Sequence, residues 1–296
     1  MNDIIRDLKG VDSYEENISE FINNQEKYPE IEIPDYLHDI FQLEYITDEY
    51  RNKHFSYYNY NSIGVPRVSE ILQLCIAKPF LIQWAAKLGT KRYGFEKHKA
   101  TTIGTIVHEL IESYLLYGNF DKKIMYKCPS SMKKEVLTAF DNFKSWINNL
   151  VNNGFFISDI IAIEKVISCP YFGGTVDCIC RINGKVYLVD FKTSKRITPE
   201  YILQVSAYTW LINSGYVSNI PKIDGIGIIR VDKEEKNKFE DLFLNFNIPE
   251  QYMIIDQYTK TFGVLLQSYY YITNMEIGFS KVKKESKETF NKLKGE

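Results

Sequence analysis

Three runs of the chain keep the two-residue alternation of a strand: Ile160 to Ile167, Ile179 to Arg181 and Lys185 to Val189. The last two flank Asn183-Gly184, where Gly184 is free to take positive φ, so they are expected to pair as an antiparallel hairpin. A fourth strand is expected over Ile223 to Val231. Elsewhere the apolar period lengthens to that of a helix. Ile106, Leu110 and Ile111 follow Gly104, which predicts a helix starting near that glycine. Val136, Phe140, Phe143 and Ile147 form one stripe in a long helix expected over Lys122 to Asn152. Tyr258, Phe262, Leu265, Leu266 and Tyr269 form another over Gln257 to Asn274. Val65 to Leu72 reads as a strand-like entry into a helix with Ser69 as N-cap. The first 60 residues read as short helices, Asn2 to Lys9 and Tyr14 to Asn23, a break at Pro29 to Pro34, and a helix near Tyr36 to Tyr50. Lys281 to Glu296 is a charged end, helical or frayed. These elements imply an α/β fold, a mixed central sheet flanked by helices, with a helical N-terminal extension and a helical insertion.

Chemistry concentrates in GTVDCICRINGKVYLVDFK, Gly174 to Lys192. Side chains alternate along a strand, so Asp190 and Lys192 look one way while Phe191 looks into the core. The hairpin sets Asp177 near Asp190. Two buried carboxylates repel unless a positive group lies between them, and a hard divalent cation with oxygen ligands, Mg²⁺ or Mn²⁺, suits the pair. A lysine beside it can orient water and offset charge on a phosphate, which is the chemistry of phosphodiester hydrolysis. His108 and Glu112 share a helix face, and Gln204 and Tyr208 stand four apart on the helix after the lysine strand. Glu164, on the neighbouring strand, reads chiefly as an exposed glutamate, with support of a metal through water as the second reading.

In order, GTIVH (Gly104 to His108), GTVD (Gly174 to Asp177), DFKTS (Asp190 to Ser194) and QVSAY (Gln204 to Tyr208) resemble the motifs of the RecB-like branch of the PD-(D/E)xK nuclease superfamily, which includes phage exonucleases and mitochondrial genome maintenance exonucleases. The resemblance spans roughly residues 65–214 and departs from the family in having Val176 where a proline often precedes the aspartate. It implies a restriction-endonuclease-like core in which His108, Asp177, Asp190 and the carbonyl of Phe191 hold the metal. Lys192 would assist water, and Gln204 and Tyr208 would steady the lysine or the strand. The implied activity is a metal-dependent deoxyribonuclease, an exonuclease in recombination, repair or end processing. An endonuclease of restriction or structure-specific type, or a catalytically silent DNA-binding protein on the same fold, are the alternatives.

Charge supports a nucleic-acid partner only after the chain is divided. Residues 1–60 hold 14 acidic and 5 basic residues, a net of −9, against 24 acidic and 31 basic residues, a net of +7, in 61–296. The expected organisation is therefore an acidic extension (1–60), a basic nuclease core (61–280) and a charged tail (281–296). Lys91, Arg92, Lys195, Arg196 and Ser69 are candidates for the DNA path. Five cysteines (75, 128, 169, 178 and 180) form no CxxC pair and none follows Cys180, which speaks against the iron–sulfur cluster of some relatives and for reduced thiols. Cys178 and Cys180 read as small buried strand residues rather than zinc ligands. There is no GxxxxGK[ST] loop for ATP, so any translocation falls to a partner such as a helicase or recombinase, and a single-strand-binding protein is a further candidate. Without a membrane-length apolar run or a secretory leader, the expected location is the cytoplasm of a bacterial or phage-infected cell.

Overall fold

The computed structural model describes residues 39, 42–55 and 58–294. The helices expected over Asn2 to Lys9 and Tyr14 to Asn23, and the break at Pro29 to Pro34, lie outside the described residues. The first helix described is α1 (Asp48–His54), shifted from the one expected near Tyr36 to Tyr50; Thr47 caps it, its hydroxyl accepting from the Tyr50 N–H at 3.2 Å.

A short hairpin, β1 (Tyr58–Tyr60) and β2 (Ile63–Val65), leads into α2 (Val68–Cys75), α3 (Pro79–Leu88) and α4 (Thr90–Tyr117). The helix α5 (Lys133–Asn152) precedes three strands, β3 (Ile157–Ser168), β4 (Gly173–Ile182) and β5 (Lys185–Lys192). Then come α6 (Pro199–Asn213), β6 (Gly225–Val231), β7 (Phe239–Asn245) and α7 (Pro249–Lys294). The sheet order is β3-β4-β5-β6-β7. Every pairing is antiparallel except β5 with β6, which α6 joins as a crossover. The expected hairpin forms between Ile182 and Lys185, with Asn183 at φ 47° and Gly184 at φ 82°, as a two-residue turn with both φ values positive requires.

Both faces of the sheet are covered, which is why β5 and β6 are almost wholly buried. On one face α2, α6 and α7 pack Ile71, Phe262 and Leu266 against Val176, Leu188 and Ile228. On the other, α4 and α5 pack Val107, Phe143 and Trp146 against Cys178, Val189 and Phe191. Each fully buried aliphatic or phenyl side chain contributes on the order of 1.5–3 kcal/mol. Cys178 and Cys180 lie in this second core, and all five cysteines are free thiols.

Several elements differ from expectation for local reasons. The helix α4 begins at Thr90 after Gly89 at φ 74°, so Gly104 is mid-helix rather than at a start, and Lys97 to Lys99 belong to the same helix as His108. Lys122 to Asn152 is not one helix: two 3₁₀ stretches (Lys122–Tyr126 and Ser130–Met132) precede α5, because Pro129 lacks an N–H and disfavours helical backbone at Cys128. Ser69 is not the N-cap of α2, which Arg67 occupies; its N–H is bonded to Glu70 at 3.1 Å. The helix α7 runs 46 residues, far past its buried stripe, because the lysine- and glutamate-rich residues after Ser280 are good helix formers with no proline among them. Among the described residues no helix is long and apolar enough to cross a membrane.

Candidate active site

Pairing of β4 with β5 ends at Cys178 and Val189, one residue short of both aspartates, and the opened strand ends meet α4 and α6 there. The Phe191 N–H donates to Asp177 Oδ2 at 2.8 Å, tying one strand end to the other. Asp190 and Lys192 share a face as β-alternation requires. The Lys192 ammonium donates to Asp190 Oδ1 at 2.7 Å and sits 2.6 Å from Oδ2, with the Asp190 side chain only 3% exposed. The same ammonium donates to Gln204 Oε1 at 3.2 Å and stands 5.0 Å from the Tyr201 ring centroid. Gln204 in turn donates to the Tyr208 hydroxyl at 3.3 Å. Tyr208 can lie this close only because position 174 is glycine: a Cβ there would fall 2.3 Å from the Tyr208 ring. The GTVD and QVSAY segments thus interlock through a missing side chain.

His108 arrives from α4. Its Nδ1 is 3.6 Å from Asp177 Oδ2 and 3.9 Å from Glu164 Oε1. One donor atom from each of His108, Glu164 and Asp177 lies within 4.8 Å of the other two. Glu164 stands across the ladder from Asp177, between the pairs Ile163 with Cys178 and Lys165 with Val176. Its φ is +44°, a left-handed backbone that a glutamate adopts in mid-strand at a cost of about 1–3 kcal/mol. That local reversal, invisible to an alternation count, places the carboxylate with the cluster, while its side chain keeps 39% exposure toward solvent. A cavity of about 510 Å³ opens there, lined by Gly104, Thr105, His108, Glu109, Glu112 and Glu164.

The electrostatics follow from burial and from carboxylates in excess. Burial pushes Asp190 up to about 6; Lys192 opposes the rise and Asp177 adds to it. Lys192 would be lowered by its own burial, but Asp190 and Asp177 raise it overall, so the ammonium keeps its proton and is shared between two aspartates. His108 behaves alike: burial disfavours its cation, while the neighbouring carboxylates of Asp177 and Glu164 more than offset this and raise it. Burial, then Glu164 and Glu109, raise Glu112. Asp190 Oδ2 is buried, and the Lys192 ammonium, 2.6 Å away, is the polar group against it among the described residues. The Asp177 and Glu164 carboxylates and the His108 imidazole, with the buried Asp190 beside them, form a donor set that fits a hard divalent cation such as Mg²⁺ or Mn²⁺.

His108, Asp177, Asp190, Phe191, Lys192, Gln204 and Tyr208 therefore converge. The Phe191 ring itself packs edge-on against Phe143 at 5.5 Å, leaving only its peptide at the site. Lys195 and Arg196 follow directly on the loop after β5 and are exposed. Lys91 and Arg92 are exposed in the first turn of α4, about 25 Å up the helix from His108 at 1.5 Å per residue. Ser69 is exposed on α2 and makes none of the cluster's hydrogen bonds. Tyr58 turns inward, its hydroxyl 2.8 Å from Thr175 Oγ1.

No protein-family model matches this sequence, and no curated protein matches it. Among solved structures the chain aligns with an alkaline exonuclease (LHK-Exo) from Laribacter hongkongensis at 12% identity and a TM-score of 0.32, over 81% of this chain and 99% of that one. It also aligns with the protein SSO0001 at 13% identity and a TM-score of 0.24, over 57% of this chain and 75% of the other.

Proposed function

We propose that this protein is a divalent-metal-dependent deoxyribonuclease, acting as an exonuclease on DNA ends in recombination, repair or end processing. The observation that supports it best is the bonded set Asp177, Asp190 and Lys192 at one pair of strand ends, with His108 and Glu164 brought against it from a helix and a third strand. His108, Glu164 and Asp177 would hold the cation, with Asp190 and the Phe191 carbonyl completing the set. When bound, a divalent cation supplies Lewis-acid polarisation of the phosphate and of the attacking water.

The chain's own groups have separate tasks. Lys192 keeps a positive charge where a phosphate gains negative charge, and Gln204 and the Tyr201 ring hold its ammonium in place. Tyr208 fixes Gln204. Asp177 ties itself to the β5 backbone, so its carboxylate cannot swing away. The 510 Å³ cavity beside His108 and Glu164 leaves space for a substrate group. In this reading residues 61–280 are the nuclease body, and the acidic 1–60 and charged 281–296 are appendages to it.

The test is degradation of end-labelled linear single- and double-stranded DNA and of closed circular DNA, with Mg²⁺, Mn²⁺ or EDTA. Metal-dependent loss of linear DNA alone, abolished in Asp190→Ala, is the expected result. Cutting of circles would replace the exonuclease with an endonuclease, and inertness on every substrate would overturn the enzymatic reading.

A further inference from the structure

The turn between β6 and β7 is held more firmly than a hairpin end needs. The Asp232 carboxylate accepts from the N–H groups of Glu234 at 2.8 Å and Glu235 at 2.9 Å, and from Arg230 at 3.1 Å. Asn142, buried on α5, donates to the carbonyls of Asp232 and Glu235, both at 2.7 Å, and accepts from the Lys238 N–H at 3.3 Å. Arg230, 4% exposed, also donates to the Ser194 carbonyl at 3.2 Å. The turn is thereby locked to the loop that follows Lys192.

What this scaffold presents is Lys233. It is half-buried, and among the described residues it makes no hydrogen bond or ion pair. It lines a cavity of about 190 Å³ together with Thr193, Ser194, Lys195 and Lys238, and with the carboxylates of Asp232, Glu234 and Glu235. That is several times a water's share of liquid volume, about 30 Å³, enough for a partly hydrated phosphate. The carboxylates nearby are mostly committed: Asp232 to the turn, Glu235 to Lys238 at 2.5 Å, and Glu135 to Lys99 at 2.5 Å, which leaves the exposed Glu234. Burial lowers the Lys233 pKa, Lys99 and Lys195 lower it further, and Glu234 and Glu135 oppose them only in part. With the neighbouring carboxylates of Asp232 and Glu235 engaged by other donors, an ammonium that makes no ion pair of its own, on a rigid turn, is poised for an anionic ligand.

We propose that Lys233, with Lys195 and the Thr193-Ser194 segment, forms a phosphate subsite that grips the DNA backbone beside the catalytic lysine. Lys195 is three residues from Lys192, so their Cα atoms are no more than about 11 Å apart. Along a duplex strand that is about three nucleotide steps of 3.4 Å. The subsite rests on the nuclease reading and adds to it a place where the substrate strand is held without its sequence being read.

The experiment is binding of a 5′-fluorescein-labelled 20-nucleotide duplex by the full chain in Ca²⁺, followed by anisotropy across a salt series, with the oligonucleotide checked for intactness on a gel. Lys233→Gln is expected to weaken binding about tenfold and to reduce the slope of log K against log salt by about 0.9, while Lys233→Arg restores both. Lys236→Gln, on the same turn but outside the cavity, should keep the wild-type slope. A neutral methylphosphonate within about three nucleotides of the cleaved end should cost the wild type the same factor and cost Lys233→Gln nothing further. A Lys233→Gln slope equal to that of Lys236→Gln overturns the subsite alone. A folded wild type that binds no DNA overturns the nuclease reading and the subsite with it.

Discussion

Two aspartates stand at the ends of neighbouring strands, both largely withdrawn from water, and their electrostatics are opposite. Burial would raise Asp232, but two backbone N–H groups and Arg230 overcome it and hold the carboxyl down at about 2. Burial also raises Asp190, and there Lys192 fails to overcome it, so Asp190 sits at about 6. The difference lies in the donors each carboxylate receives: Asp232 accepts from two backbone N–H groups and Arg230, whereas both oxygens of the more deeply buried Asp190 share the single Lys192 ammonium and a second aspartate stands nearby. A satisfied buried carboxylate builds structure; an underserved one leaves room for a ligand.

The largest expected effect separates these roles. Asp190→Asn should lower metal-dependent DNA cleavage by about 10³-fold or more, measured as initial rate per folded molecule. Asp232→Asn should retain cleavage well above that level, and equal losses in the two variants would erase the distinction.

Stability should invert the order. Asp232 has a folded pKa below its ordinary value of 3.8, so its stabilisation is present at neutral pH and lost as the pH falls from 3.8 through about 2. Holding the carboxyl that far below 3.8 is worth about 2 kcal/mol for a side chain only 14% exposed. Urea denaturation of Asp232→Asn at pH 7 should show that loss, and the gap from wild type should shrink towards pH 2.5. A constant gap would mean that the turn is held by packing alone. A comparable loss, about 1–3 kcal/mol, is expected for Gly174→Ala, whose Cβ would strike Tyr208 and loosen the Gln204 and Lys192 chain behind it.

The smallest effect sharpens the Asp190 side. Its raised pKa means that its contribution to metal-free stability is present below 3.8 and lost as the pH rises through about 6. A bound cation offsets that loss. Added Mg²⁺ should therefore raise the Tm by a few degrees at pH 7.5 and hardly at all at pH 5. A Mg²⁺ shift of the same size at both pH values would separate Asp190 from the cation.

Much of this centre was legible in residue order. Asn183-Gly184 fixed the hairpin, and with it the approach of Asp177 to Asp190. The parity of Asp190 and Lys192 gave their contact, and the four-residue step from Gln204 to Tyr208 gave theirs. Glu164 was read chiefly as an exposed strand residue, and it is exposed; what alternation does not show is the φ of +44° that sets its carboxylate beside His108 and Asp177. The chain signals no glycine or proline at that reversal; the nearest clue is a lone glutamate in an apolar strand. The Asp232 turn was missed for a different reason: β7 alternates weakly, and the anchor of the turn, Asn142, lies 90 residues away on α5. Contacts of that range leave no local period. The start of α4 was misplaced because a glycine in mid-helix resembles a boundary in sequence.

The most direct test of the central claim is Mn²⁺ titration of the metal-free protein, read by calorimetry and by loss of the free-ion electron paramagnetic resonance signal, on wild type, Asp177→Asn and Glu164→Gln. Saturable Mn²⁺ binding by the wild type, weakened tenfold or more in both variants while each remains folded, is the predicted result. A wild type that takes up no Mn²⁺ at millimolar concentration, or variants that bind it as tightly as the wild type, would contradict a metal centre built from His108, Glu164 and Asp177.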